Sequence, residues 1–126
     1  MKSIDTNVVV RLIVGDDESQ TDAAENFARN GVWVSTLAFA EATWVLQSAY
    51  GLTPTRLARA IEMLLGHRNL VLQDADAVQA ALELFRSRPS LGFSDCLMLE
   101  LSRKAGHLPL GTFDRALAKL DGAARI

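Results

Sequence analysis

The sequence predicts an α/β fold in which a short parallel sheet is covered by helices. Short apolar, β-branched runs alternate with longer stretches of helical periodicity. Helices of that length between strands serve as crossover connections, and crossovers join parallel strands. No internal repeat, low-complexity tract or Pro/Gly-rich linker breaks the alternation, so residues 1–126 read as one domain.

The elements follow in order. Lys2 to Asp5 reads as a short strand, and Thr6 to Val14 as a helix capped by Asp5 or Thr6. Lys2 and Ser3 make that strand less apolar than a central strand usually is. Asp22 to Arg29 forms a second helix, stopped at Asn30-Gly31. Val32-Trp33-Val34-Ser35 is β-branched and aromatic, a strand composition. Leu37 to Tyr50 is a long helix closed by Gly51. Thr53-Pro54 opens the next helix, with proline near its first position and an apolar stripe at Leu57, Ile61, Leu64 and Leu65. Leu70-Val71-Leu72 is a third strand. Asp74 to Arg88 is a helix with Val78, Ala81, Leu82 and Phe85 on one face, ended by Pro89. Phe93 to Ala105 is apolar on most sides and stops at Gly106. His107 to Leu110 is a fourth strand, and Asp114 to Leu120 a last helix.

Composition bounds the function without deciding it. The chain has 126 residues and 49 % hydrophobic content, enough for a core without disulfides. The lone Cys96 forms no internal bridge, which suits a reducing cytoplasm. No apolar run approaches the roughly 18 residues that span a bilayer, and Met1-Lys2-Ser3-Ile4-Asp5 lacks a secretory apolar core. Net charge is −2, whereas a module that binds nucleic acid through phosphates alone is usually basic. An enzyme whose acidic pocket holds cations remains compatible with that balance.

Four carboxylates stand out. Asp5 ends the first strand, Glu41 lies one and a half turns into the helix after the second, Asp95 heads the apolar helix and Asp114 follows the fourth strand. Ligands of parallel α/β sheets gather beyond the carboxyl ends of the strands, where all four acids are expected to project. Glu41 is the only charge in Leu37–Ala42, and Asp95 the only one in Phe93–Leu99. Two carboxylates about 6 Å apart repel by roughly 3 kcal/mol at an effective dielectric near 20. Four together therefore require protons or a cation. Neither run holds a lysine or arginine, which leaves a hard divalent cation such as Mg²⁺. Magnesium on carboxylates acts typically on phosphate esters. Each acid also has a structural reading: Asp5, Asp95 and Asp114 stand where helix caps stand, Ser94 is an alternative cap for the same helix as Asp95, and Glu41 would pair with a cation elsewhere.

The order and spacing of Met1-Lys2-Ser3-Ile4-Asp5-Thr6-Asn7, Glu41, Ser94-Asp95 and Thr112-Phe113-Asp114 resemble the PIN domain over essentially the whole chain. Asp5-Thr6-Asn7 and Gly111-Thr112-Phe113-Asp114-Arg115 look like the VapC toxins of bacterial toxin–antitoxin modules. That resemblance implies a three-layer α/β/α sandwich with a central parallel sheet of four to five strands. It implies Asp5, Glu41 and Asp95 as metal-binding acids, Asp114 as a fourth acting through water, and a supporting set of Thr6, Asn7, Ser94, Thr112 and Arg115. It further implies an endoribonuclease dependent on Mg²⁺, with Mn²⁺ able to substitute, that cuts structured RNA, forms a homodimer and is silenced by a cognate antitoxin.

Competing readings are a magnesium-dependent phosphatase and a non-catalytic nucleic-acid-binding domain. Phosphatases of similar fold often carry a second aspartate two residues after the nucleophile, where this chain has Asn7. Arg11, Arg86, Arg88, Arg103, Lys104 and Arg115 are candidates for RNA phosphates or for solvated helix faces, Arg115 the strongest contact candidate. Trp33, Trp44 and Tyr50 read as core or dimer packing before base stacking. His67, His107 and Cys96 have no zinc-ligand spacing. Cys96 reads as a small buried residue rather than a nucleophile.

Overall fold

The computed structural model describes all of residues 1–126. Seven helices and five short strands alternate: β1 (Lys2–Ser3), α1 (Thr6–Ile13), α2 (Glu18–Ala28), β2 (Val32–Val34), α3 (Thr36–Ser48), α4 (Pro54–Leu65), β3 (Leu70–Leu72), α5 (Ala75–Ser87), α6 (Phe93–Ala105), β4 (Leu110–Thr112), α7 (Arg115–Ala118) and β5 (Ala123–Arg125). Every strand pairing is parallel, so the predicted α/β class holds. The strands form two sheets, one of three strands and one of two. The chain falls into two compact units, Met1–Ala75 and Asp76–Ile126. No helix is long and apolar enough to cross a membrane.

The first unit carries the sheet β1-β2-β3, with Val32 opposite Lys2 and Leu70, and Trp33 opposite Ser3 and Val71. β2 is the middle strand. Its Val32 and Val34 are buried, while Trp33 on the other face keeps 37 % of its surface and its neighbour Val71 48 %. One face carries the core, and the other keeps part of its surface at Trp33 and Val71. The polar start of β1 follows from its place at the sheet edge, where Lys2 and Ser3 are exposed and Lys2 Nζ sits 4.0 Å over the Phe27 ring. Helix α1 packs on α2 and α3. Thr53 caps α4, Pro54 opens it, and of the predicted stripe Leu57, Ile61 and Leu64 are buried while Leu65 is only partly so. Helix α2 begins four residues before the predicted Asp22, because the Asp17 carboxylate accepts from Gln20 N at 3.0 Å. Its polar first turn, Glu18 to Thr21, carries no apolar periodicity to announce it.

In the second unit Ala81, Leu82 and Phe85 of α5 and Phe93, Cys96, Leu97 and Leu99 of α6 are buried. Phe85 and Phe93 meet edge to face with centroids 6.0 Å apart. Gly106 closes α6 at φ +80°, a left-handed position that favours glycine. The predicted strand His107–Leu110 lies later, at Leu110–Thr112. Pro109 has no N–H to give a ladder, so pairing starts at Leu110, whose N–H donates to Gly122 O at 2.8 Å. The last helix is shorter than the predicted 114–120, ending at Ala118. The chain then turns through Gly122 at φ +91° into β5.

Candidate metal and phosphodiester site

In the first unit Asp5 follows the edge strand and caps α1, its Oδ1 accepting from Val8 N at 3.2 Å. The cap occupies one carboxylate oxygen and leaves Oδ2 for another partner. The next residue, Thr6, donates its hydroxyl to Glu41 Oε2 at 2.8 Å and so ties the head of α1 to the middle of α3. Asn7 lines a cleft of about 740 Å³ with Asp5, over a floor that includes Ile4, Val8, Ala24 and Phe27.

Glu41 is exposed, although its sequence run is otherwise apolar. Helix α3 resolves the paradox. Ala38, Phe39, Ala42, Thr43 and Leu46 take the inner face, whereas Leu37, Glu41, Trp44 and Ser48 share the outer one. An uncharged run is a poor guide to burial when small residues dilute the helical stripe. Trp44 is 68 % exposed, so of the core and dimer packing expected for it the core alternative falls away.

In the second unit Asp95 stands in the first turn of α6, and neither it nor Ser94 caps that helix. Gly92 takes the cap position without any side-chain bond, which removes the capping explanation for Asp95. Ser94 is exposed and Asp95 half-buried. Burial, and then the negative charge of Asp114, push the Asp95 carboxyl above its ordinary value. Asp114 caps α7, its Oδ1 accepting from Leu117 N at 2.9 Å, and its own N–H donates to Thr112 Oγ1 at 3.0 Å. Thr112 thus sets the backbone that aims Asp114.

One pair of interacting acids is seen, Asp95 with Asp114 in the second unit, while in the first unit Asp5 adjoins Thr6, whose hydroxyl binds Glu41. No group of three or more His, Cys, Asp or Glu side chains stands close enough to hold a metal ion. In donor chemistry these carboxylates fit a hard cation. Mg²⁺ is commonly held by only one or two carboxylates, keeping waters and taking substrate oxygens, and a cation would offset both the burial and the Asp114 charge that raise Asp95.

A family profile for the PIN domain matches residues 3–123. The chain belongs to the PIN domain family. No curated protein and no solved structure matches it. PIN domains are generally metal-dependent nucleases, and the paired oxygen donors of this one are of the type such chemistry uses.

Three of the six cations proposed from the sequence are engaged elsewhere in this PIN domain. Arg11 donates to Asp16 at 2.6 Å, to Gln20 at 2.6 Å and to the Tyr50 hydroxyl at 2.9 Å. Tyr50 in turn donates to Asp16 at 3.2 Å, so its hydroxyl braces this polar cluster. Arg103 pairs with Glu100 and Asp121, and Lys104 with Asp76. Arg115 is exposed beside Asp114. Cys96 is buried and its thiol is pushed up to about 11, chiefly by burial and then by the charge of Asp95, which leaves it inert as a nucleophile. His67 accepts from Asn69 N at 3.1 Å, and His107 is exposed.

The raised Asp95 carboxyl has a measurable consequence. The folded state holds its proton more tightly than the unfolded chain does, so this group stabilises the fold below the unfolded value near 3.8. That contribution is lost as pH rises through the interval up to the folded value. Without divalent cations, the melting temperature of wild type should fall across that interval relative to Asp95→Asn. Adding Mg²⁺ at neutral pH should restore it for wild type but not for the variant. Superimposable melting curves of pH for the two proteins would contradict this.

Proposed function

We propose that this PIN domain is a Mg²⁺-dependent endoribonuclease, the toxin of a type II toxin–antitoxin module, with Asp5, Glu41, Asp95 and Asp114 as its acids. The observation that carries the reading is Asp95: a half-buried carboxylate that caps nothing and faces the charge of Asp114. A structural acid would find a donor; this one finds another acid.

A bound Mg²⁺ or Mn²⁺ supplies Lewis-acid polarisation of phosphoryl oxygens and lowers the pKa of water. The chain's own residues do the positioning. Thr6 holds Glu41 by one oxygen and leaves the other for a ligand. The cap bonds at Asp5 and Asp114 lock those carboxylates at helix starts, each with one oxygen left over. Asn7 borders the same cleft as Asp5, and Ser94 stands exposed beside Asp95; both are suited to hydrogen bonds with substrate. Arg115 offers charge to the phosphate. In the net reaction water adds to phosphorus, the phosphodiester P–O bond breaks, and the leaving sugar oxygen takes a proton.

The toxin role draws support from the Asp5-Thr6-Asn7 and Thr112-Phe113-Asp114-Arg115 segments. A homodimer and a cognate antitoxin, acting in the cytoplasm, belong to the same reading. Exposed Leu37, Trp44, Trp33 and Val71 provide apolar surface for one or both to cover.

The purified protein should make internal cuts in total RNA with Mg²⁺ or Mn²⁺, make none with EDTA, and release no phosphate from a simple monoester. Equal cutting in EDTA would overturn the metal mechanism. Phosphate release without RNA cleavage would favour the phosphatase.

A further inference from the structure

The geometry points to a second substrate contact: a basic pocket of Arg115, Lys119 and Arg125 that grips the sugar–phosphate backbone of single-stranded RNA beside Asp114. This inference rests on the nuclease reading and deepens it. Arg115 and Lys119 lie four residues apart across α7 and its C-cap, hence on one face. Arg125 ends β5, and the parallel register sets it opposite Thr112, the residue whose hydroxyl fixes Asp114. The three cations line one pocket of about 450 Å³ together with Ala118, and no carboxylate is among its lining residues.

Such a grouping costs free energy in the unliganded protein. Like charges four apart on a helix repel by about 0.2–0.5 kcal/mol, and a third cation adds to that. Elsewhere in this unit the opposite arrangement prevails, with Arg103 and Lys104 paired to acids. None of Arg115, Lys119 and Arg125 forms an ion pair. In a chain of net charge −2, concentrating unpaired positive charge in one pocket selects for an anion. Arginine forks match phosphate oxygens in two-pronged geometry, and the small Ala118 lets a backbone approach. An RNA strand is favoured over an acidic peptide because Arg115 directly follows Asp114, which sets the pocket next to an acid proposed to act on the strand. Phosphate contacts of this kind position a strand without reading its sequence.

Binding of a short single-stranded RNA in EDTA, across a salt series, tests this without cleavage. Arg115→Gln/Lys119→Gln/Arg125→Gln should weaken binding about tenfold or more at about 0.1 M salt and make the slope of log K against log salt shallower by about 2, for three phosphates released. Lys119→Gln alone, at an exposed position, should change the slope by about 0.7 and guards against misfolding of the triple variant. Arg56→Gln/Arg59→Gln/Arg68→Gln, three exposed arginines of the first unit, should leave most of the slope intact. Unchanged RNA affinity in the triple variant overturns the proposal. An equal loss in the first-unit variant does so too, by reducing the effect to bulk charge. Loss of poly-glutamate binding with RNA binding intact would reassign the pocket to a protein partner. Cleavage by wild type is assayed separately with Mg²⁺ and Mn²⁺; failure there removes the nuclease reading and leaves the binding result to stand or fall alone.

Discussion

Asp95→Asn should lower kcat/KM for RNA cleavage by about a thousandfold or more, equivalent to roughly 4 kcal/mol of transition-state stabilisation. The side chain keeps its shape and loses its charge, so any effect reports on charge alone. Asp95 contributes no cap to α6, and its ionised form is disfavoured by burial and by Asp114. The fold should therefore tolerate the change, with the melting temperature at neutral pH equal to or above that of metal-free wild type. Activity loss with stability kept is the signature of a functional acid. Asp5→Asn and Asp114→Asn extend the comparison. Both positions are helix caps, and asparagine caps about as well as aspartate, so cap loss does not confound the result. Single-turnover cleavage of a fluorescent RNA, alongside thermal melting, provides the measurement. Asp95→Asn activity within tenfold of wild type would remove Asp95 from the mechanism.

Phe85→Ala should be the most damaging core substitution, destabilising by about 3–5 kcal/mol. Phe85 is 1 % exposed and meets Phe93 edge to face across the α5–α6 contact. Truncation removes the transfer term, leaves a cavity in a tightly packed interior, and deletes an aromatic pair worth about 0.5–1.5 kcal/mol. For a domain of this size the loss corresponds to a fall of roughly 10–20 °C in melting temperature. Phe93 opens α6 two residues before Asp95, so the same cavity loosens the turn that presents the acid. Cleavage should consequently fall further than the folded fraction alone accounts for. Phe85→Leu refills most of the volume and should recover much of both. A loss below about 1 kcal/mol for Phe85→Ala, read by denaturant melting, would show that this contact is not part of the core.

Much of the fold was legible from periodicity and punctuation. Helix α6 runs over the predicted 93–105 because an apolar stretch lies between Gly92 and Gly106, and β3 matches Leu70–Leu72. Misses fell where local chemistry was weak or dual. The first turn of α2 is polar, so its start at Glu18 rests on the Asp17 cap rather than on any stripe. The strand expected at His107–Leu110 moved to Leu110–Thr112 because proline cannot join a ladder, and β5, Ala123–Arg125, has little intrinsic strand preference. Among site residues the four acids were nameable from their settings, yet the uncharged run around Glu41 does not bury it, because its alanines widen the apolar surroundings without enclosing the side chain. Lys119 and Arg125 went unremarked, since a cation is informative only once its neighbours show that no acid accompanies it.

Local sequence thus determined which segments became helices and strands, that the strands run parallel, and which carboxylates had no cation in their own run. These properties depend on spacing of a few residues and on backbone chemistry, which travel with the chain. Only the tertiary structure decided that Thr6 reaches Glu41, that Asp95 feels Asp114, and that Arg115, Lys119 and Arg125 share a pocket. Those relations join residues distant in sequence, and electrostatic or hydrogen-bond energy depends on distances in space that no local pattern encodes.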